Sequence, residues 1–365
     1  MKELTPILGS YSADDCQFLM QEIETEYVSI EEKERRIQTG ESHYSEMINK
    51  ESVPSDSYMA LFTEMLSKYD VRLANEVVSL ATKIIAMRPE SGSEDVPIVL
   101  VSLARAGTPI GVLVKRAVEF LGYNAVHYSI SIIRDKGIDE VALKHLTDKY
   151  TDESLVFIDG WTAKGVITRE LKESVRQFND KNGTLVAPEL FVIADIGGTA
   201  TVCSTQEDYA IPSSILNSTV SGLISRTICS DKTEGGFHGC VKYKHLVEHD
   251  ISNDFVNQVS SKFSMNFASE HATYQSCDIR RARTEKFVSD LMAEKDISHI
   301  NMIKPGIAEA TRILLRRVPD YIMVISKDNA DVAHLIKLAS ERNVEIIENA
   351  NMPFLACAVI KKVTD

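Results

Sequence analysis

The segment DGWTAKG, residues 159–165, combines residue types that can hold a phosphorylated sugar. The four apolar residues before it, 155–158, predict a buried parallel strand that ends at Asp159. The small residues that follow predict a turn, and residues 166–178 have a helical pattern. Backbone N–H groups at a helix N-terminus bind anions, and an acid at a strand end binds sugar hydroxyls or a metal. The segment therefore predicts a phosphate cradle, with an ordinary strand-to-helix turn as the alternative.

A second loop with matching chemistry lies in SLARAGTPIG, residues 102–111, directly after a predicted strand. In this loop the cation Arg105 is flanked by three small residues, Ala104, Ala106 and Gly107. Small residues let the backbone approach an anion closely, and Arg105 adds positive charge. Because ligands of parallel sheets bind at the carboxyl ends of the strands, we expect this loop and Asp159 to face one ligand.

A third group of polar residues lies in KPGIAEATR, residues 304–312. Gly306 permits close backbone approach, and Glu309, about one helical turn later, can accept hydrogen bonds from base amino groups. From residue 304 to residue 317 the chain has four cations against this single acid: Lys304, Arg312, Arg316 and Arg317. The spacing predicts a local basic patch on one helix face. An amphipathic helix with a basic solvent face is the alternative.

Composition narrows the class of protein. The chain has 365 residues and a net charge of −13, which argues against a nucleic-acid-binding surface over the whole protein. Its six cysteines are scattered without a CxxC pair, so neither a zinc ribbon nor a disulfide framework is indicated. No signal-peptide pattern and no apolar run near the ~20 residues of a membrane span is present. We expect a cytoplasmic protein with reduced thiols and no membrane association. The sequence leaves homo-oligomer formation open.

The pattern of apolar residues divides the chain into three parts. Residues 1–96 are predicted to be mainly helical, with one helix beginning near Cys16, and extend the first domain. Residues 97–276 alternate strands with helices, which predicts a parallel sheet covered on both faces. Residues 277–365 predict a second, smaller α/β domain, in which 304–318 form a helix.

Two polar segments have less definite patterns. Residues 31–47 favour a solvated helix and loop, and a pocket wall formed by Gly40, His43, Tyr44 and Ser45 is the alternative. Residues 211–228 are rich in small hydroxyl side chains. We expect both segments to shape the pocket for an acceptor.

The two loops of the first domain resemble those of the type I phosphoribosyltransferases. In that family an early loop binds pyrophosphate, and a later loop of the form acid-acid-x-x-(S/T)-T-G-x-T binds the 5′-phosphate. The resemblance implies pyrophosphate contacts for residues 104–107 and a ribose contact for Asp159. It implies phosphoribosyl contacts for the later loop: Gly160, Ala163, Lys164, Gly165 and Thr168. The second acid of the family is Gly160 here, Lys164 replaces a usual Thr, and Thr168 comes one position late. Asp195, at the end of the next predicted strand, is available to replace the missing acid.

The resemblance also implies a reaction. Cleavage of phosphoribosyl pyrophosphate creates an oxocarbenium-like centre, and Mg²⁺ and Arg105 would stabilise the leaving pyrophosphate. Asp159 would contact the metal indirectly, through the substrate. Residues 131–139 lie where the family has a mobile loop, so Arg134 and Lys136 would close over the leaving group. The implied catalytic residues are thus Asp159, Arg105 and Arg134.

The third segment resembles the G-x-x-E-x-x-(K/R) signature of L7Ae and Pelota-type RNA-binding domains. The resemblance implies RNA contacts for the signature and its neighbours: Lys304, Gly306, Glu309, Arg312 and Arg316. The usual Asn before the glutamate is Ala308 here.

The whole chain resembles bacterial proteins that join a phosphoribosyltransferase domain to a Pelota-type domain in tellurium-resistance and stress operons. The fold implied is a type I phosphoribosyltransferase-like parallel sheet with a helical N-terminal extension, plus a small L7Ae/Pelota-like α/β/α domain. The implied function is synthesis of a nucleoside-like product, or RNA modification, from phosphoribosyl pyrophosphate.

The same family also carries the name cysteine protease StiP, which makes peptide hydrolysis the alternative. A cysteine protease needs a thiolate beside a histidine base. His238 and Cys240 are the nearest such pair, and Cys203 follows a predicted strand end. No known cysteine-protease signature surrounds any of the six cysteines. A non-catalytic sensor that binds a nucleotide and RNA is a further alternative.

Overall fold

A parallel sheet of six strands forms the centre of the first domain. The strands of this domain are β1 (Gln17–Leu19), β2 (Gln21–Glu22), β3 (Ile98–Leu103), β4 (Ala125–Ile130), β5 (Ile132–Ile133), β6 (Gly137–Ile138), β7 (Leu155–Thr162), β8 (Leu190–Asp195), β9 (Val202–Thr205) and β10 (Gly239–Cys240). The large sheet has the order β1-β4-β3-β7-β8-β9, and every neighbouring pair in it is parallel. The computed structural model describes residues 4–229, 233–266, 275–317 and 319–361, without the side chains of residues 30, 34 and 316.

Helices cover both faces of this sheet. They are α1 (Ile30–Gln38), α2 (Asp56–Met87), α3 (Gly107–Phe120), α4 (Glu140–Thr147), α5 (Val166–Asn182) and α6 (Ser252–Ser260). Helices α2, α3 and α6 pack on one face, and α4 and α5 pack on the other. Alternate residues of β3 point to opposite faces, with Leu100 in the first core and Val101 in the second. The strand is apolar throughout because both of its faces are buried.

The second domain is an α/β/α sandwich. Its elements are α7 (Cys277–Glu294), β11 (Ile303–Pro305), α8 (Ile307–Arg316), β12 (Pro319–Val324), α9 (Ala333–Glu341), β13 (Glu345–Glu348) and β14 (Ala356–Ile360). The sheet has the order β11-β14-β12-β13. Helices α8 and α9 cover one face, and α7 covers the other. The α/β class, with a parallel sheet and a small C-terminal α/β/α domain, is therefore confirmed. No helix in the described ranges combines the length and apolar character needed to cross a bilayer.

Three local predictions were wrong. The helix expected near Cys16 is strand β1, which pairs with the edge of the sheet at β4, while Asp15 forms an ion pair with Arg116 at 2.7 Å. Strand β7 continues past Asp159 to Thr162, because its last residues pair with β8. The helix expected over 304–318 is preceded by β11 and begins only at Ile307. In each case a pairing partner distant in sequence overrides the local pattern.

The two domains share a buried seam. Residues of α8 and α9 belong to the same apolar cluster as residues of α2 and α3. The carboxylate of Asp208 accepts hydrogen bonds from the backbone N–H of Ile307 at 2.8 Å and of Leu355 at 3.0 Å. Asp331, which precedes α9, accepts a hydrogen bond from the Tyr69 hydroxyl on α2 at 2.6 Å. The second domain is therefore docked through specific polar contacts as well as apolar packing.

The Asp208 contacts give a first prediction. Asp208→Ala should leave two buried N–H groups without an acceptor, at a cost of about 2–4 kcal/mol to docking. Amide hydrogen exchange at Ile307 and Leu355 should then accelerate. The matched control is Glu207→Ala, because that carboxylate is 52% exposed and pairs with Arg72 on the surface. Unchanged exchange in Asp208→Ala would contradict the proposed docking role.

Candidate functional site

A cavity of about 1250 Å³ opens between the two domains, at the carboxyl end of β3 and beside Asp159 of β7. The first domain contributes Ala104, Arg105, Ala106, Arg134, Asp159 and Ile167 to its lining. The second domain contributes Lys304, Arg312 and Arg317, among others. Ligands of open parallel sheets bind at this edge, where the loops after neighbouring strands meet.

The contact between the two predicted loops depends on Gly107. A Cβ atom at Gly107 would lie 2.6 Å from the carbonyl oxygen of Ile158 and 3.3 Å from Oδ1 of Asp159. Only a residue without a side chain allows α3 to begin this close to β7. Arg105 and Asp159 are thereby brought to one cavity, as the sequence predicted for the two loops.

Arg105 is held in place by polar partners. Its guanidinium forms an ion pair with Glu51 and donates to Oδ1 of Asn217 at 2.8 Å. The other oxygen of Glu51 accepts from the hydroxyl of Ser218 at 2.6 Å. The Ala104–Arg105 peptide bond is cis. Neither Glu51 nor Asn217 was identified from the sequence, because each lies far along the chain from Arg105 and neither belongs to a local motif.

Asp159 points into the cavity from the middle of β7. Its Oδ1 accepts a hydrogen bond from the backbone N–H of Gly160 at 2.8 Å. Burial raises the pKa of Asp159 to about 7, although this hydrogen bond and the charge of Arg312 act in the opposite direction. A carboxyl group with this pKa can take up or release a proton near neutral pH.

The later part of the predicted phosphate cradle lies under the second domain. Lys164 donates to the carbonyl oxygens of Ile300 at 2.6 Å and Ile303 at 2.5 Å, and burial lowers its pKa to about 7. Gly165 has a φ of 67° and caps α5, with the side chain of Thr199 packed against it.

The remaining cradle residues are also close to other parts of the protein. A Cβ on Gly197 would lie 1.8 Å from the carbonyl oxygen of Ala163. Thr168 is buried, and its hydroxyl has no hydrogen-bond partner among the described residues. Gly160 lies beside Ala106. Ile167 is the residue of this segment that faces the cavity.

Asp195 does not replace the missing acid. Its carboxylate is buried and accepts hydrogen bonds from the backbone N–H groups of Gly197, Thr199 and Ala200. Its side chain also lies 3.7 Å from Arg280. The carboxylate shapes the loop after β8 and is not part of the cavity lining.

The polar segment 31–47 contributes to the wall of the cavity. Gly40, His43 and Tyr44 line the cavity, as the alternative interpretation expected, whereas Ser45 is buried and is not part of the lining. The hydroxyl of Tyr44 accepts from the backbone N–H of Arg134 at 2.8 Å, and the Arg134 guanidinium lies 4.8 Å from the Tyr44 ring centre.

Residues 211–228 also contribute to the wall, as expected. Asn217 and Arg226 are among the lining residues, and the Arg226 guanidinium lies 5.4 Å from the Tyr44 ring centre. Burial lowers the pKa of Arg226 to about 10.

The signature in the second domain faces the first domain. Glu309 accepts a hydrogen bond from the indole N–H of Trp161 at 3.1 Å, and the Arg312 guanidinium lies 5.3 Å from the Trp161 ring. A Cβ on Gly306 would lie 2.7 Å from Ile196. The side chain of Arg316 lies outside the described part of the chain. Trp161 is the only tryptophan of the protein, yet the sequence did not indicate this contact.

The cavity is strongly cationic. Among its described lining residues, nine Lys and Arg side chains face two carboxylates, Glu51 and Asp159. Burial lowers the pKa of Lys304, and the charges of Arg317, Arg134 and Arg312 add to this effect against that of Glu309. Crowded buried cations are costly unless an anion offsets them. The arrangement therefore suits a phosphorylated ligand.

The same residues define how a metal could be held. No cluster of three His, Cys, Asp or Glu side chains suited to a metal occurs in the described ranges. Of the two lining carboxylates, Glu51 is engaged by Arg105. Mg²⁺ is commonly held by one or two carboxylates together with substrate phosphates. The site therefore fits Mg²⁺ only as an ion held by the phosphates of a ligand, with Asp159 contacting that ligand.

Comparison with known proteins identifies the family. Residues 9–260 match the profile described as tellurite-like stress resistance cysteine protease StiP, and residues 282–362 match the PELOTA RNA binding domain. The chain is 39% identical, over 97% of its length and 94% of the relative's, to "Cysteine protease StiP" of Acinetobacter baylyi. The chain belongs to the StiP family.

Solved structures similar to this StiP-family chain cover only part of it. A hypoxanthine phosphoribosyltransferase of Trypanosoma cruzi aligns with 37% of this chain and 77% of its own, at 10% identity and a TM-score of 0.29. The HGPRT-ase from Leishmania tarentolae in complex with GMP aligns with 39% and 82%, at 12% identity and a TM-score of 0.29. Similarities of this size carry no inference about activity.

The raised pKa of Asp159 gives a second prediction. Because the folded state holds this proton up to about pH 7 and a free aspartate loses it near pH 4, stability should fall as pH rises through this window. Asp159→Asn has no such proton. As pH rises from 5 to 8, the free energy of unfolding of this variant should therefore increase by about 1–3 kcal/mol relative to that of the wild type. Denaturant titration at each pH measures this difference. A constant difference across this range would contradict the raised pKa.

Proposed function

We propose that this protein transfers a phosphoribosyl group from phosphoribosyl pyrophosphate to an acceptor. The observation that carries the proposal is the approach at Gly107, which brings the Arg105 loop and Asp159 to one cationic cavity. Two anion-binding loops at neighbouring strand ends can hold the two ends of one phosphorylated sugar. The product would be a nucleoside-like compound or a modified RNA, made in the cytoplasm during tellurium-related stress.

In the proposed reaction, the bond between C1 and the pyrophosphate oxygen breaks and its electron pair leaves with pyrophosphate. A nitrogen of the acceptor forms the new bond to C1 and loses its proton. Arg105 and Arg134 would bind the pyrophosphate, and Asp159 would hold a ribose hydroxyl. Mg²⁺, when bound, would neutralise charge on the leaving group.

The predicted cradle would bind the 5′-phosphate through the backbone around Ala163 and Gly165. Because Lys164 already donates to two carbonyl groups of the second domain, its ammonium would have to leave them to reach a phosphate. The backbone near Ile167, which faces the cavity, is the accessible side of this cradle.

The second domain would bring RNA to this site. Among the side chains that the structure describes, the second domain supplies three cavity-lining cations, and the matched Pelota profile covers all of them: Lys304, Arg312 and Arg317. Cations of this kind neutralise backbone phosphates and make binding depend on salt.

Peptide hydrolysis is the second candidate, because the relative from Acinetobacter baylyi is named a cysteine protease. The predicted pair does not support it: Cys240 is buried with its pKa raised to about 12 by desolvation, and His238 bonds Ser131 at 2.7 Å. Burial also raises the pKa of Cys203 to about 11. Cys229 is partly exposed and lies in the region that matches the StiP profile, and the ammonium of Lys136 contacts its sulfur.

A calorimetric titration with phosphoribosyl pyrophosphate and Mg²⁺ tests the first candidate. The native protein should bind, and Asp159→Asn should weaken binding about tenfold through loss of one charged contact. Asp148→Asn is the matched control, because Asp148 is exposed at the end of α4 outside the cavity. Binding without pyrophosphate release for any base or RNA would indicate the sensor, and absent binding would refute the proposal.

A peptidase assay distinguishes peptide hydrolysis from phosphoribosyl transfer. We expect Cys229→Ser to leave pyrophosphate release unchanged, because Cys229 lies outside the cavity lining. Cys277→Ser, which removes an exposed thiol beyond the matched protease region, is the control. A peptidase activity that disappears in Cys229→Ser alone would establish the protease in place of the transferase.

A further inference from the structure

The residues that define the RNA-binding signature and those that define the phosphoribosyl loops belong to one cavity. Lys304, Arg312 and Arg317 reach it from the second domain, and Arg105 and Asp159 reach it from the first. Its volume of about 1250 Å³ exceeds the roughly 300–1,000 Å³ of a typical small-molecule site. One phosphorylated sugar would leave space and positive charge for a second ligand.

Specific polar contacts between the two domains surround this shared cavity. Asp208 accepts hydrogen bonds from the first residue of α8 and the residue before β14, and Lys164 donates to the carbonyl groups of Ile300 and of the first residue of β11. Glu309 of the signature is joined to Trp161 on β7. Each contact links the second domain to a loop or strand of the first. These contacts fix the position of the two domains on either side of the cavity.

The same contacts decide which signature residues can still meet a ligand. Gly306 faces Ile196, and Glu309 is engaged by Trp161, so neither can enter the groove of an RNA stem in this arrangement. Lys304 is different: none of the contacts named above uses its side chain, and Glu309 is the acid whose charge acts on it. It faces the cavity beside the charges of Arg317, Arg134 and Arg312.

We propose that Lys304 and Arg317 bind the phosphate of the acceptor, so that the acceptor is a nucleoside phosphate held between the two domains. A free mononucleotide and an unpaired nucleotide of an RNA strand share this chemistry. RNA is the source favoured by the matched Pelota profile, and single-stranded RNA is recognised through splayed-out nucleotides. The transfer to this acceptor rests on the proposed function, whereas the binding of its phosphate does not.

The test compares three ligands and measures binding alone. Fluorescence anisotropy with a short labelled oligouridylate, and calorimetry with uridine 5′-monophosphate, report the acceptor phosphate. Calorimetry with phosphoribosyl pyrophosphate and Mg²⁺ reports the donor. Lys304→Gln should weaken both acceptor probes about tenfold and reduce the salt slope for RNA by about one, with donor affinity unchanged. Asp159→Asn should weaken binding of phosphoribosyl pyrophosphate and leave both acceptor probes unaffected.

Two variants guard against misfolding and unspecific charge effects. Lys304→Arg keeps the charge and should retain acceptor binding, and Arg317→Gln should repeat the loss seen in Lys304→Gln. Lys337→Gln is the matched control, because Lys337 is exposed on α9 of the same domain and outside the cavity. Binding of the mononucleotide but not of RNA would keep the inference and make the free nucleotide the source.

Several outcomes would overturn the inference. It fails if neither acceptor probe binds, if Lys304→Gln leaves both unaffected, or if Lys337→Gln weakens RNA equally. It also fails if Lys304→Gln weakens the donor as much as the acceptor, because Lys304 would then belong to the donor site. A protein that binds RNA through Lys304 but never binds phosphoribosyl pyrophosphate would refute the proposed function and leave this inference standing.

Discussion

The docking of the second domain onto the edge of the parallel sheet is the constraint on which the site depends. Asp208 satisfies two backbone donors of that domain, and burial raises the pKa of this carboxyl to about 6 even so. Without the seam, Lys304 and Arg312 would face solvent, and the loop of Arg105 would form the floor of an open groove. The cavity is thus a product of tertiary contact between domains.

The charges of the cavity follow from this enclosure. Arg105 is balanced by Glu51, but Lys304 and Arg226 have their pKa values lowered because burial disfavours their charged forms. A protein that keeps such side chains close together gives up some stability. That cost is offset when a polyanion binds, which is the physical reason to place phosphorylated ligands here.

The family name and the chemistry of the site point in different directions. A cysteine protease requires a thiolate, yet burial raises the pKa of the thiols of Cys203, Cys240 and Cys357 to between about 11 and 12. None of the six cysteines lines the interdomain cavity as far as the structure describes it. Any peptidase chemistry that uses a cysteine would therefore take place outside the cationic interdomain cavity.

The sequence by itself determined the alternation of the main strands and helices from β3 to β8, the acid on β7 and the loop around Gly107, because these depend on apolar periodicity and on local turn chemistry. It also indicated that residues near Tyr44 line a pocket. Only the tertiary structure decided that residues 17–19 form an edge strand, that Asp195 serves the backbone, and that Trp161 binds Glu309. These features depend on partners that are distant along the chain. A local sequence pattern cannot predict which polar side chains will contact each other between two domains.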